Sequence, residues 1–465
     1  MLMIHNIKPA EIPGLSPYEI YAFQHLLDIF NDHASANAEK NKYYEGNISL
    51  SEVNLGIALP DGMRKLEIGC AWGAKCVDVL AARSMFDGFV GLQGEDVEEL
   101  DRLVVENNLI TEYNKAARDE LKIGCVFATV LGDPRIGCKI RFHSAENSAA
   151  EWDGDKGRIA YGMTIIETFK ERPDSEPQPS VIHLHLDYAV LVFERFDKTW
   201  MVTRYPHRMG RPLMEPLIWN ATSRKPFGRS RIKEPIRRLI QGYVRTIANA
   251  TIGLEFSTAP QKYLLGVTDD QYETLVNQKF RQYVGNILAA TSNPDTGEKP
   301  TFGQLSQGSI SPHVEMIRIL ATQFSAATGL TVTDTGVVSE ANPSSSDAIL
   351  AQSQTLVAMA EQLNAGNGDS LRTIALMALA VANNTTMDEL SDEQKAIVAH
   401  FKNPAMPSVA VTADAALKIA SARAGFAGTD TFLEMLGFSK ADIRRIKAQE
   451  RLQRGSEVLS ELNLA

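Results

Sequence analysis

An α+β fold is predicted for this chain, on three observations. The first half consists of short apolar-alternating runs punctuated by turn residues, in hairpin order rather than as repeating strand–helix–strand units. The character changes at Pro226, beyond which amphipathic helical patterns dominate. With 465 residues and 44% apolar content the chain can bury a sizeable core, and its length suggests two or three structural units.

The first helix is expected over residues 16–48. Pro17 lies just inside its start, Ile20, Phe23, Leu26, Leu27 and Phe30 recur at helical spacing, and Glu45-Gly46-Asn47 makes the turn. Residues 64–90 read as a helix followed by a strand, and 95–122 as one amphipathic helix. Then come strands: GCVFATVLGD (124–133) and KIRFHSA (139–145), joined at Asp133-Pro134, then GRIAYGMTIIETF, VIHLHLDYAVLVFER and TWMVTRYP. Asp153-Gly154 and Pro173–Pro179 supply loop chemistry between them.

Beyond Pro226, RIKEPIRRLIQGYVRTIANA (231–250) is a helix with Ile232, Ile236, Leu239, Ile240, Tyr243, Val244 and Ile247 on one stripe. Its other face carries Arg231, Lys233, Arg237, Arg238 and Arg245 against the single acid Glu234. A short-element insertion follows over 254–305: EFSTAPQKYLLGV and GNILAAT as strands, with a helix around Gln271–Tyr283. A second strong helix begins at Ser311-Pro312, with Ser311 as the expected cap. Residues 329–343 are loop-like, with Gly329 and Gly336 loosening the backbone. A long helix starts at Ser344, and Asn364–Gly368 predicts a kink or break in it. Three short helices make up the tail from about Thr412.

The formal net charge of −10 and pI near 5.5 exclude a protein that grips nucleic acid over its whole surface, because phosphate neutralisation needs Lys and Arg. Cys70, Cys76, Cys125 and Cys138 form no C-x-x-C pair, so buried, reduced thiols are expected. Met1–Pro13 lacks signal-peptide order, and no run reaches the roughly 18 apolar residues of a membrane span. A soluble product of the cytoplasm is therefore expected. GCAWGAKC (69–76) departs from a phosphate loop in spacing and in its last residue. His183 and His185, beside Asp187, share a strand face, for which an ordinary surface strand is the preferred reading over a metal site. Acidic residues are scattered, and their spacing alone neither makes nor removes a two-metal nuclease site. No catalytic motif emerges, so no enzyme activity, cofactor or metal is expected.

Several segments in combination resemble the portal proteins of tailed bacteriophages, above all the branch common in phages of actinobacteria. They are KYYEGN (42–47), IGCVFATV (123–130), HRMGRPLMEPLIWNATSRKPFGRSRI (207–232), STAPQKYLLG (257–266), TFGQLSQGSISPHVEMIRILATQFSAATGL (301–330) and EANPSSSDAI (340–349). The likeness runs from about residue 40 to 450. It implies a mixed α/β wing (1–228), a first stem helix (229–250), a clip (251–310), a second stem helix (311–328), a tunnel loop (329–343), a long kinked wing helix with its return segment (344–410) and a helical crown (411–465).

By the same resemblance the chain would be a homo-oligomeric, twelve-fold ring at one capsid vertex of the virion. Double-stranded DNA would pass through its channel. The terminase large subunit and a head–tail adaptor would dock on it, and major capsid and scaffolding proteins would surround it. No membrane is involved. The alternatives are another ring or connector component of the virion, or a DNA-processing enzyme of the packaging machinery, which would need a nucleotide or metal motif. The channel candidates are Thr331, Thr333, Asp334, Thr335, Glu340 and Asn342 of the loop, with Arg237, Arg238 and Arg245 as basic residues that could face DNA. The loop carries no Lys or Arg, unlike a positive grip, and Gly366–Gly368 interrupts a helix that is often continuous. A ring of acidic subunits would repel phosphate within a Debye length of about 8 Å, which suits a sliding conduit.

Overall fold

The computed structural model describes residues 4, 7–49, 67–91, 98–133, 135, 137–197, 199–258, 262–265, 301–304, 309–337, 346–405, 409–438, 442–443 and 445–453. Helix and sheet are segregated in the α+β manner the sequence predicts, and the chain divides into two units. The first holds Met1–Glu45, Ala71–Ile236 and Thr328–Ala465; the second holds Gly46–Cys70 and Arg237–Ala327.

The first unit is layered helix, sheet, sheet, helix. Its outer helix is α1 (Pro17–Glu45), opened by a capping box in which the Glu19 carboxylate accepts from the Ser16 N–H at 2.6 Å and the Glu19 N–H donates to Ser16 Oγ at 3.3 Å. Phe23, Leu26, Leu27 and Phe30, spaced three and four apart, bury one face of α1 against a five-stranded antiparallel sheet, with the Phe23 and Phe193 rings 4.5 Å apart. That sheet has the order β10-β9-β8-β7-β6, from β6 (Ser148–Asp153), β7 (Arg158–Phe169), β8 (Gln178–His185), β9 (Ala189–Phe196) and β10 (Thr199–Pro206).

A second sheet, β11-β4-β5, lies on its other face; it comprises β4 (Cys125–Asp133), β5 (Gly137–Ser144) and β11 (Met214–Ile218). Cys125, Phe127 and Met214 meet Ala150 and Ile159 across the seam. The far side of β4 packs through Val126, Ala128 and Val130 on α4 (Leu109–Ile123) and on the C-terminal half of α7 (Ser346–Ala382). A two-stranded pair, β3 (Phe86–Gly91) with β14 (Ile397–Phe401), joins the same core.

In the second unit β1 (Asn47–Ser49) pairs antiparallel with β2 (Glu67–Gly69). The long helices are α5 (Glu234–Thr258) and α6 (Ser311–Thr328). Ile240, Val244 and Ala248 of α5 and Leu320, Ala321 and Phe324 of α6 are buried, and Gly242 lies directly against the Leu320 side chain. The ribbon β12 (Lys262–Leu265) and β13 (Thr301–Gln304) pairs Lys262 with Gln304 and Leu265 with Thr301.

Several expectations need correction. The helix foreseen over 95–122 is two, α3 (Glu98–Glu106) and α4. Asn107 breaks it: its side chain donates to the carbonyls of Leu103 and Cys138 and accepts from the Ile140 N–H, anchoring the break to β5, while Asn108 turns with φ 49°. VIHLHLDYAVLVFER is a hairpin, reversing at Asp187-Tyr188 with the Leu186 N–H on the Ala189 carbonyl at 2.9 Å. EFST continues α5 instead of starting a strand; GNILAAT and the helix around Gln271–Tyr283 lie outside the described residues. Ser311 is the first helical residue of α6 and not its cap, since the Ile310 carbonyl already accepts from the His313 and Val314 N–H groups. Most consequentially, Asn364–Gly368 does not interrupt α7, which is one helix of 37 residues.

GCAWGAKC acquires a structural meaning. The segment enters α2 (Trp72–Ala81), and a Cβ on Gly73 would lie 2.0 Å from the Tyr43 carbonyl oxygen of α1. The glycine is there so that two helices can touch through backbone, which has nothing to do with phosphate. All four cysteines are buried and unbridged, as their spacing suggested.

His183 and His185 do not lie on a surface. The face of β8 opposite Ile182 and Leu184 looks into the seam between the sheets, leaving His185 fully buried and His183 half-buried, with their rings 6.2 Å apart. His143 comes to them from β5 and shares a hydrogen bond of 3.0 Å with Thr129. No group of metal-binding geometry exists among the described residues. Burial pushes the imidazoles of His143 and His183 down to about 4, and that of His185 well below its ordinary 6.5, each further lowered by its neighbours.

Two outcomes follow. Gly73→Ala is expected to destabilise the chain by about 3 kcal/mol, read from the urea midpoint, because the new methyl would run into the α1 backbone at Tyr43 and Tyr44, which has no flexible side chain to give way. The depressed histidines stabilise the fold above their ordinary pKa of 6.5, and that contribution is lost as the pH falls toward about 4. Melting temperature should therefore drop as the pH goes from 7 to 5, and His185→Leu, of similar bulk and without ring nitrogens, should flatten the drop. Parallel curves for the two proteins would assign the acid sensitivity elsewhere.

Candidate functional site

The candidate loop residues follow α6, and what holds them is a junction built around Arg231. Arg231 precedes α5, since Pro235 marks that helix's first turn, so it does not belong to the helix's polar face. The segment is threaded by backbone bonds: the Arg229 N–H donates to Trp219 O at 3.0 Å, and the Arg231 N–H to Leu121 O at 2.9 Å. Ser230 Oγ donates to the Lys122 carbonyl and accepts from the Ile232 N–H.

The Arg231 side chain, 7% exposed, then crosses the interior. Its Nε donates to the Cys76 carbonyl of α2 at 2.6 Å and one terminal nitrogen to the Thr328 carbonyl, the last of α6, at 2.7 Å. The other terminal nitrogen is 3.3 Å from the Met359 sulfur of α7, and the guanidinium lies 5.9 Å from the centre of the Trp219 ring. Carbonyl dipoles and the negative end of the α6 dipole favour the buried cation. Burial raises the neighbouring Cys76 thiol, which donates to the Arg231 carbonyl at 3.8 Å.

Beyond Thr328 the chain turns at Gly329, with φ 73°, under the Met359 methyl. Leu330 is buried, and Thr333–Thr335 form a single 3-10 turn. Within it Asp334 accepts from the Thr331 hydroxyl at 2.8 Å and from the Thr331 N–H at 2.9 Å, while the Thr335 hydroxyl donates to Val332 O at 2.6 Å. The Trp72 indole donates to Thr335 O at 3.1 Å.

Residues 329–337 are therefore a folded turn, not a free loop. Thr331 and Thr335 have committed their hydroxyl protons inside it, so they have none to offer a phosphate; only Thr333 is exposed. Glu340 and Asn342 lie outside the described residues.

At about 100° per residue, Arg238 and Arg245 stand one above the other, two turns apart, on the side of α5 away from Ile240 and Val244. Arg238 is exposed and Arg245 half-buried. Arg237 sits instead beside the apolar stripe and is half-buried. The structure thus groups two of the three candidate arginines. Arg231, grouped with them in sequence, is a structural cation; its place ahead of Pro235 was the signal that set it apart.

No family model matches the sequence, and no curated protein does. Among solved structures, a chain in the virion of a native gene transfer agent particle superposes with a TM-score of 0.44 at 12% identity, covering 79% of this chain and 89% of that one. A chain from the neck of an empty gene transfer agent particle, computed with C6 symmetry, gives 0.44 and 12%, covering 79% and 90%. One from the neck of a native particle, computed with C12 symmetry, gives 0.42 and 12%, covering 79% and 89%.

Arg231→Met should lower stability by about 3 kcal/mol, the cost of two charge-assisted hydrogen bonds whose acceptors stay buried. Arg231→Lys should recover less than half, because a point charge cannot reach both carbonyls as the fork does. Chemical denaturation of the three proteins measures both.

Proposed function

We propose that this chain is a portal subunit: a ring-forming structural protein at one capsid vertex whose axial channel passes double-stranded DNA during packaging and ejection. The observation that carries the proposal is the order α5, β12–β13 ribbon, α6, folded turn, 37-residue α7. In a portal these would be stem, clip, stem, tunnel loop and wing helix, with the α/β layers as the wing and the helices after Val409 as the crown. The quoted sequence segments support the same reading. The terminase large subunit, a head–tail adaptor and the capsid and scaffolding proteins would be its partners, and the chain would supply no catalysis. A different connector ring of the virion is the second reading; the two long helices flanking a ribbon favour the first.

The electrostatics suit a conduit. A net charge of −10 per subunit repels the duplex on average, while Arg238 and Arg245 offer a narrow basic stripe on α5. On this proposal the folded turn 329–337 would line the channel as a rigid rim.

The α6 surface also needs a neighbour. Val314, Met316 and Ile319 are 42–45% exposed in the first half of the helix, where none of residues 311–319 is buried. A closed ring with a head-to-tail interface covers such a face in every copy. Purified chain should therefore give rings with a central hole in negative-stain images, and Ile319→Asp should release folded monomers. A wild-type chain that stays monomeric both alone and in capsid-assembly reactions would sink the proposal.

A further inference from the structure

The longest helix changes character along its length. Between 353 and 367 α7 buries a single stripe through Ser353, Leu356, Val357, Ala360, Leu363 and Asn367. From Ile374 to Ala380 every residue is buried, in the core shared with β4 and β11. One half is clasped on all sides and the other leans on its neighbours by one face. Gly366 and Gly368 fall at the changeover, where two residues of low helix propensity cost about 2 kcal/mol against alanine. Among the described residues nothing lies within 4 Å of a Cβ built on Gly366, so their packing does not require that glycine.

A buried relay spans this weak segment. Asn367 donates to Glu120 Oε2 of α4 at 2.7 Å and to the Tyr113 hydroxyl at 3.0 Å. The Tyr113 and Ser84 hydroxyls are 2.6 Å apart, and Ser84 donates to Asn364 Oδ1 at 2.6 Å. With the Ser84 proton given to Asn364, the Tyr113 proton must go to Ser84. The bonds thus run one way, from Asn367 to Tyr113 to Ser84 to Asn364, and begin and end on the glycine segment.

We propose that Asn364–Gly368 is a latent hinge in α7, latched in continuous helix by the hydrogen bonds of Asn364 and Asn367 to Ser84, Tyr113 and Glu120. Opening it swings the half of α7 that carries Met359, the residue seated on Gly329 and Arg231. The hinge therefore acts on the turn 329–337, linking the state of α7 to that of the candidate rim.

The latch also has a proton in it. Glu120 is fully buried, and burial pushes its carboxyl up to about 8, partly opposed by the Asn367 bond. Among the described residues the titratable groups facing it are Tyr113 and Cys125; burial raises both, Cys125 to about 12, and neither supplies a positive charge. Because the folded pKa lies above the ordinary 4.5, the latch is held at lower pH and weakens as the pH rises through about 8, when an ionised Glu120 needs water that only an opened helix admits.

Amide hydrogen exchange of the assembled full chain, corrected for intrinsic rates, tests this. Peptides across 362–370 should exchange faster at about pH 9 than at about pH 7, with 374–380 unchanged. Asn367→Leu should speed the same peptides by at least about tenfold at both values, the loss expected when its two buried hydrogen bonds are removed together. Gly366→Ala should slow them. Glu120→Gln keeps an acceptor for Asn367 and removes the ionisation, so it should exchange slowly at both values; it decides the matter if the leucine variant does not fold. Equal protection of 362–370 at both pH values in the wild type, or the same pH response in Glu120→Gln, overturns the proposal.

Discussion

The guanidinium of Arg231 is the constraint on which the candidate site depends. One buried side chain donates to the backbone of α2 and to the last carbonyl of α6, touches α7 and lies near Trp219. These elements are far apart in sequence, so the chain must be fully folded before any of these bonds exists. The geometry explains why arginine stands there. Two carbonyls and a thioether in different directions need a planar fork with several donors, and a fixed charge gains from the α6 dipole. The turn 329–337 starts one residue beyond that carbonyl, so its position follows from the anchor.

Close approach of backbone recurs as the means by which the layers fit. Gly73 brings α2 against α1, Gly162 makes room for the Met214 sulfur between the two sheets, and Gly329 accepts Met359. Each would look like a loop or ligand glycine in isolation. The histidines follow the same logic from the other side. His185 fills the inter-sheet seam as a bulky ring whose nitrogens meet no hydrogen-bond partner among the described residues. The seam is consequently close-packed, and burial favours the neutral form of its imidazoles.

Charge is distributed differently in the interior and on the surface. Inside, Arg231 and the neutral Glu120 are held by hydrogen bonds to carbonyls and an amide. Outside, carboxylates outnumber cations, 57 to 47 over the chain, which sets a repulsive average potential toward a polyanion. An interior that relies on hydrogen-bonded networks is directional, so small shifts of α7 are transmitted to the groups it touches.

Periodicity made much of the fold legible. The helical spacing of Phe23, Leu26, Leu27 and Phe30, the Ile240 and Val244 stripe, and the alternation in β7 and β10 are local properties, written where a helix or strand buries one face, while β4 reads as a continuous apolar run because both its faces are covered. The α+β class follows from them, as do the two long helices and the turn between α6 and α7. Tertiary structure alone decided the rest. Asn107 ends a helix because β5 offers it partners, and Asn367 and Asn364 keep α7 helical through two glycines because Ser84, Tyr113 and Glu120 meet them there. Arg231 looked like one more basic residue because a sequence does not show which carbonyls will converge on it. Local propensities differ by about 1 kcal/mol per residue, whereas a buried hydrogen bond left unmade costs about 1–3 kcal/mol, so wherever the two compete the long-range partner determines the outcome.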